Sequence, residues 1–328
     1  MRILIAPDKF KGTATANELI ESVLQSLLSD QHALIGIPLA DGGDGTLEAF
    51  GGANQITEVT GPLGEKVNAP WLLNGSLAII EMAKASGLVL AGGSQNNDPV
   101  NATTYGTGEL IAEAVKLGAT KIIAGLGGSA TTDGGLGAIQ AIEEINLSNI
   151  EILVACDVRT KFLDAPKVFG PQKGASEKQI IELTDRLKSL SEQYLKKYGV
   201  DVCIAERSGA AGGLSGGLLA IGAKLVDGFS LVTKELNLEE EISKADLVVT
   251  GEGTIDDSSF EGKVVGEILN MANTYDKSVL AIAGCVETKE IPKGLDVISL
   301  TETFGEEKST QAASSCFRDA VKEYLITY

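Results

Sequence analysis

"RILIAPDKFKGTATANELIESVLQSLLSDQHALIGIPLA", Arg2 to Ala40, is the stretch whose reading decides the fold. It begins with a short apolar run closed by Pro7, which suits a strand buried on both faces. Leu19, Ile20, Val23, Leu24, Leu27 and Leu28 then recur at helical spacing. "ALIGIPLA" (33–40) is a second apolar run, and "GTLEAFGG" a short helix after it. Strand, helix, strand and helix in this order are the signature of a parallel sheet.

The same alternation returns at the far end of the chain. "ADLVVTGEG" (245–253) reads as a strand, "GKVVGEILNMANTY" as a helix, and "SVLAIAGC" and "LDVISL" as strands. A final amphipathic helix is expected from about Thr310. Between the two ends the pattern changes. Residues 55–83 are rich in Val, Ile and Thr, with Gly-Pro at 61–62 and Asn-Gly at 74–75, so hairpins are expected there. There follow a helix at "GTGELIAEAVKLG", a strand at "KIIAGL", a further helix and a strand at "EILVACDV". A polar helix over 176–197 and a glycine-rich helix start at "AAGGLSGG" complete the middle. The expected fold is therefore α/β. A Rossmann-like doubly wound parallel-sheet domain is built from both chain ends (1–53 plus 229–328), and a mixed α+β domain (54–228) is inserted into it. The active site is expected in the cleft between them.

Composition narrows the chemistry. The 328 residues carry a formal net charge of −18, which disfavours nucleic acid or an anionic membrane as a partner, since both need clustered Lys and Arg. An anionic substrate then needs locally placed cations or Mg²⁺. The one histidine, His32, sits in a turn and reads as a surface residue, so Ser-His-Asp, Cys-His and His-metal chemistries have no material. Cys156, Cys203, Cys285 and Cys316 are scattered without a C-x-x-C, and Cys156 and Cys285 read as buried free thiols. No segment is apolar for the roughly 18 residues a membrane span needs, and the N-terminal run is too short for a signal peptide. A cytoplasmic protein is expected, with no statement on its oligomeric state.

Several strand ends run into loops that mix glycine with a carboxylate: "APDKFKG" (Asp8, Lys9, Lys11), "LADGGDG" (Asp41, Asp44), "GLGGSATTDGG" (Asp133), "ACDV" (Asp157) and "TGEGTID" (Glu252, Asp256). In open α/β sheets ligands sit outside the carboxyl ends of parallel strands. Glycine loops suit phosphate, and carboxylates suit Mg²⁺, which takes one or two of them plus phosphate oxygens. Lys11 or Lys263 would neutralise the charge of a phosphoryl group in transfer. There is no G-x-x-x-x-G-K-[ST], no protein-kinase signature and no G-x-G-x-x-G after the first strand.

The ordered blocks "APDKFKG", "PLADGGDGT", "EMAKASGL", "TTYGTGELI", "GLGGSATTDGG", "ACDV…FGPQKGA", "GAAGGLSGG" and "ADLVVTGEGTID…GK" resemble the bacterial type 1 glycerate kinases along essentially the whole chain. The resemblance implies ATP-dependent phosphorylation of D-glycerate, usually at the 2-hydroxyl to give 2-phosphoglycerate. Alternatives are the 3-hydroxyl, another small hydroxy acid, or a nonenzymatic nucleotide- or metabolite-binding relative. Asp8, Lys11, Asp41, Asp44, Gly127, Gly128, Ser129, Asp133, Asp157, Gln172, Lys173, Glu252 and Asp256 match family positions.

Roles follow from chemistry. Asp256 or Asp8 is the expected base, with Lys11 or Lys263 stabilising charge. Gly127, Gly128, Ser129, Thr131, Asp133, Gln172, Lys173, Gly251, Glu252 and Gly253 are expected to bind substrate or phosphate, the 125–135 loop cradling ATP phosphates. Asp41, Asp44 and Asp157 are expected near Mg²⁺. The chain departs from the family at Lys9 (commonly Ser), Thr132 (commonly Asn), Thr254 (commonly Arg), and "RSGAAGG", which lacks the usual proline-glycine lead-in. The shorter "RTKFLDAPKV" replaces the segment that usually follows "ACDV". If that loop borders the acceptor pocket, Arg159 or Lys161 would supply a replacement cation there.

Overall fold

The computed structural model describes residues 1–27, 32–260 and 262–328; the expected helix residue Leu28 lies outside them. Its strands are β1 (Arg2–Ile5), β2 (Ala33–Gly36), β3 (Gln55–Thr60), β4 (Lys66–Asn74), β5 (Leu77–Glu81), β6 (Lys121–Gly125), β7 (Glu151–Cys156), β8 (Lys224–Asp227), β9 (Leu247–Ile255), β10 (Ser278–Val286) and β11 (Leu295–Ser299). The chain forms two compact units. The first comprises Met1–Asp41, Glu48–Phe50 and Val232–Tyr328, and the second Gly42–Leu47 and Gly51–Leu231.

In the first unit five parallel strands run in the order β11-β10-β9-β1-β2. Counted along the unit's own chain this is 2-1-3-4-5, a doubly wound order whose switch point falls between β1 and β9. The central strands β1, β9 and β10 are largely apolar and buried where both faces are covered, whereas the edge strand β2 has no buried residue. Ile3, Ile5, Leu247, Val249, Leu280 and Ile282 share one core with the helices Ala16–Leu27 and Ala313–Thr327. The alternate residues Leu4, Val248, Val279 and Ala281 are equally buried. The helix Val264–Thr274 lies on β9 and β10 and buries Val264, Val265, Ile268, Leu269 and Ala272. Phe10 and Phe317 meet edge to face at 5.9 Å, which anchors the loop after β1.

The second unit holds a mixed sheet in the order β3-β4-β5-β6-β7-β8. β3–β4 and β4–β5 are antiparallel, and β5 to β8 run parallel. Trp71 on β4 is fully buried, its indole N–H donating to Thr57 Oγ1 at 2.9 Å. The long helix Glu177–Tyr198 starts at a Ser176/Gln179 capping box and stops at left-handed Gly199. It lays Leu187, Leu190 and Tyr194 against Phe162.

Some expectations need adjusting. β2 stops at Gly36 rather than Ala40, although Ile37 and Leu39 still donate to Ile5 and Pro7 carbonyls at 2.9 and 3.0 Å. The β4–β5 turn is Gly75-Ser76, shifted by one residue. The last helix begins at Ala313 after a separate Glu306–Gln311 turn of helix. His32 is half-buried rather than a surface residue. The four cysteines are free, but Cys285 is only half-buried. Among the described residues no helix is long and apolar enough to cross a membrane.

Candidate active site

In the first unit the switch point brings Asp8, just past the end of β1, to β9, where Glu252 lies within the strand opposite Ala283 of β10 rather than in a loop. Asp8 N–H donates to Gly251 O at 2.9 Å, continuing the β1–β9 ladder one step beyond β1. Burial pushes the Asp8 carboxyl up to about 6; Lys9 pulls the other way, and Asp41 and Glu252 add to the rise by like-charge repulsion. Glu252 is raised by burial as well, with Ser259 and Lys263 opposing, and its buried Oε1 has no hydrogen-bond partner among the described residues. Asp256 differs. Its side chain is 42% exposed, and a hydrogen bond from Ser258 and then the charge of Lys263 hold its carboxyl below the usual range. Its Oδ1 accepts from Ser259 N at 3.1 Å and lies 3.6 Å from Lys263 Nζ. It starts the short 3-10 turn Asp257–Phe260. Lys11 is exposed, and the backbone of Phe10 and Lys11 faces the open side of Gly253.

In the second unit a cavity of about 160 Å³ collects Gly127, Gly128, Ser129, Asp157, Gln172 and Lys173 on walls of Leu88, Leu126, Val158, Phe169, Ala210 and Ala211. Lys173 is 2% exposed. Its Nζ donates to Ser129 Oγ at 2.8 Å and Thr131 O at 2.6 Å, and burial pulls it down to about 7 against the attraction of Asp133. The chain makes room for this by close backbone approach. A Cβ on Gly127 would lie 2.8 Å from Gly43 Cα and 2.9 Å from Asp44 N, so the 42–44 loop seats on the glycine loop. Ala211, Gly212 and Gly213 are all left-handed, and a Cβ on Gly212 would meet Thr131 O at 2.0 Å. Ala211 adopts φ +50° without glycine's freedom, backbone strain of the kind that collects at sites.

Asp133 turns inward. Its Oδ2 accepts from Thr104 N–H and Oγ1, both at 2.8 Å, and from Gly137 N at 3.2 Å, while Oδ1 accepts from Gly135 N at 3.0 Å. Thr131 is fully buried. Asp41 belongs to the first unit, Asp44 and Asp157 to the second. Among the described residues no group of three or more His, Cys, Asp or Glu is arranged to hold a metal ion, so these aspartates form no closed cage. Arg159 and Lys161 do not line the cavity, although the altered loop reaches it through Val158. Burial pushes the Cys156 thiol up to about 12, which leaves it no nucleophile at neutral pH.

Two residues escaped the sequence reading. Glu81, at the end of β5 and 3% exposed, accepts from Gly45 N at 3.0 Å and Leu47 N at 2.8 Å, and so fixes the loop that carries Asp44. The signal was there: a lone carboxylate closing the apolar run "LAIIE". Arg207, left-handed at φ +69°, ties Cys156 O to Asp227 at 2.8 and 2.9 Å. Nothing in its sequence context marks it.

A doubly wound sheet with acids at its switch point and, in the second unit, a glycine-built polar pocket are features that suit a small-molecule phosphotransferase. The model of the glycerate kinase family matches residues 3–146 and 143–324, and the chain belongs to that family. It is 43% identical to the glycerate 2-kinase of Escherichia coli K12, over 87% of this chain and 85% of that protein. A Bacillus subtilis glycerate kinase is 38% identical over 87% and 85% respectively. The crystal structure of a Salmonella typhimurium LT2 protein assigned as a glycerate kinase 2 superposes with a TM-score of 0.83, at 37% identity, over 100% of this chain and 99% of that one.

Proposed function

We propose that the protein transfers the γ-phosphoryl group of ATP to the 2-hydroxyl of D-glycerate, giving 2-phosphoglycerate and ADP. The observation that carries this reading is the 43% identity to a glycerate 2-kinase across 87% of the chain. In the transfer a P–O bond to the acceptor oxygen forms, the P–O bond to ADP breaks, and the hydroxyl proton must go to a base. Asp8 suits that task better than Asp256. A base works best with a pKa near the operating pH, and Asp8 is raised to about 6 while Asp256 is lowered. Lys11 and Lys263 are the proposed charge stabilisers. Gly251 and Gly253 are proposed to let substrate approach the β9 backbone, beside Glu252.

The residues present fit Mg²⁺. Glu252 has a buried carboxylate oxygen without a hydrogen-bond partner among the described residues, and Asp41 and Glu252 both repel the Asp8 carboxylate. Asp41 and Glu252 would hold the ion, with Asp44 and Asp157 as the alternatives, since Mg²⁺ takes one or two carboxylates plus phosphate oxygens. Bound there, it supplies neutralisation of phosphoryl charge. Gly127, Gly128, Ser129, Thr131, Gln172 and Lys173 are proposed to bind an anionic group of one substrate, with Asp133 ordering their loop.

The test is the purified protein with ATP, Mg²⁺ and D-glycerate, followed by ³¹P NMR. A 2-phosphoglycerate resonance supports the reading, and 3-phosphoglycerate moves the attack to the other hydroxyl. No product, with another hydroxy acid turned over, makes the short loop after Asp157 the determinant of the acceptor.

A further inference from the structure

The 160 Å³ cavity of the second unit holds a charge arrangement that identifies which anion it takes. Lys173 is 2% exposed, yet among the described residues no carboxylate oxygen lies within 4.0 Å of its Nζ. Its two partners, Ser129 Oγ and Thr131 O, are neutral acceptors. A buried ammonium without a counter-charge is costly, and Lys173 has a third N–H to give. The neighbouring backbone has the same surplus. Among the described residues, the N–H groups of Gly127, Gly128 and Ser129 meet no protein acceptor, while the next one, of Ala130, donates to Ser86 O at 3.0 Å. Gly128 is left-handed at φ +69°, the kind of backbone in which successive N–H groups form an anion-binding concavity.

We infer that this cavity is the acceptor's carboxylate site, with Lys173 as its counter-ion and the 127–129 backbone as its neutral donors. The inference rests on the kinase reading above and replaces the expected role of the glycine loop as an ATP-phosphate cradle. Three features favour a small monocarboxylate over a polyphosphate. The volume is about 160 Å³, well below the ~300 Å³ at which pockets begin to hold drug-sized ligands. The cavity supplies one buried cation, Lys173, against one exposed carboxylate, Asp157, which suits at most a single carboxylate and falls far short of a triphosphate. The remaining walls, Leu88, Leu126, Val158, Phe169, Ala210 and Ala211, are apolar and strengthen a single ion pair by keeping water from it. Asp157 and Gln172 at the rim are polar groups suited to the acceptor's hydroxyls. The specificity that follows is for short 2-hydroxy acids, with the carboxylate as the element recognised.

The experiment compares the wild-type enzyme with Lys173→Met, using D-glycerate, its uncharged amide D-glyceramide, and ATP. The expected result is a KM for glycerate raised on the order of 100-fold in the variant, the scale for truncating one partner of a buried ion pair. KM for ATP is expected within about twofold of wild type. Glyceramide should bind wild type and variant equally weakly, as acceptor or as competitive inhibitor. A rise in KM for ATP with that for glycerate unchanged overturns the inference and returns the loop to the nucleotide. Equal losses for glycerate and glyceramide overturn it too, because they mean that Lys173 only supports the loop. Should the variant not fold, wild type alone decides, since glyceramide bound as tightly as glycerate also overturns the assignment. Failure of the kinase reading shows separately, as wild-type enzyme that turns over no hydroxy acid at all.

Discussion

In the first unit the first and third strands of the chain order carry acidic side chains: Asp8 follows β1, Glu252 lies within β9, and Glu252 adds to the rise of the Asp8 pKa. In the second unit the cavity is built on backbone: Gly127 and Gly128 follow β6, and among the described residues lining it the buried ionisable side chain is Lys173, far along the chain. The first arrangement needs nothing more than a parallel sheet, because adjacent strands deliver their loops side by side. The second needs glycines, because the loops at 42–44, 127 and 211–213 approach at distances no Cβ tolerates. The two regions should therefore break differently when mutated. Acid-to-amide changes in the first unit should spare the fold and cost rate. Methyl additions in the second should cost the fold.

The largest effect is expected at Gly212. A Cβ there would lie 2.0 Å from Thr131 O, a backbone atom, at φ +66°. Gly212→Ala should cost upwards of ~4 kcal/mol, the range reserved for severe core disruption. Urea unfolding measures it. A variant within 1 kcal/mol of wild type would show that the 131 and 212 backbones are not in the contact described.

Next comes Asp8→Asn, with a loss in kcat of about 10²–10⁴ if Asp8 is the base. Its stability should move the other way. The folded pKa, about 6, lies above the ordinary 3.8, so between those values the folded state holds more protons than the unfolded one. Stability of the Mg²⁺-free protein should therefore fall as pH rises from about 4 to about 6, through this group. Asn should remove that slope and raise Tm at neutral pH. Unchanged melting curves across the window would mean Asp8 is not buried as described. Asp256→Asn should lower kcat by no more than about tenfold, because its carboxyl is half-exposed, held low and spent on the Ser258–Ser259 turn. A larger loss at Asp256 than at Asp8 would exchange their roles.

These contrasts also explain what could be read from the chain. The doubly wound unit was legible because its strands are apolar runs with two buried faces and its helices repeat every three to four residues. Asp8 was legible as an acid past a strand end, whereas the loop expected at Glu252 is strand, because β9 stays paired with β10 as far as Ile255. The direction of their pKa values was not, since burial depends on the partner strands. Asp133 was read as a ligand and turned out to be tied by Thr104, Gly135 and Gly137, because an acid in a glycine loop looks the same in either role. Glu81 was passed over for the complementary reason: its partners, Gly45 and Leu47 N–H, lie 36 and 34 residues away. Lys173 was named from its motif alone. That no carboxylate of the described residues comes within ion-pair distance of it is a property of the folded cavity and appears in no local pattern.

The smallest effect sharpens the comparison most. Gly253, on β9 beside Glu252, is a glycine of the first unit without the excuse of those in the second. Its φ is not positive, and a Cβ there would find only Lys11 N at 3.5 Å and the Phe10 backbone at 3.8 Å and beyond, ordinary contacts. Gly253→Ala should therefore leave stability unchanged or raise it by ~0.4–1 kcal/mol, by restricting the unfolded chain. Kinetics then separate two causes for the glycine. If substrate approaches the β9 backbone at this point, as proposed, the added methyl should raise KM for one substrate severalfold in a protein that melts no lower than wild type. If both KM values and kcat stay put, Gly253 serves neither packing nor ligand, and the first unit works through its carboxylates alone.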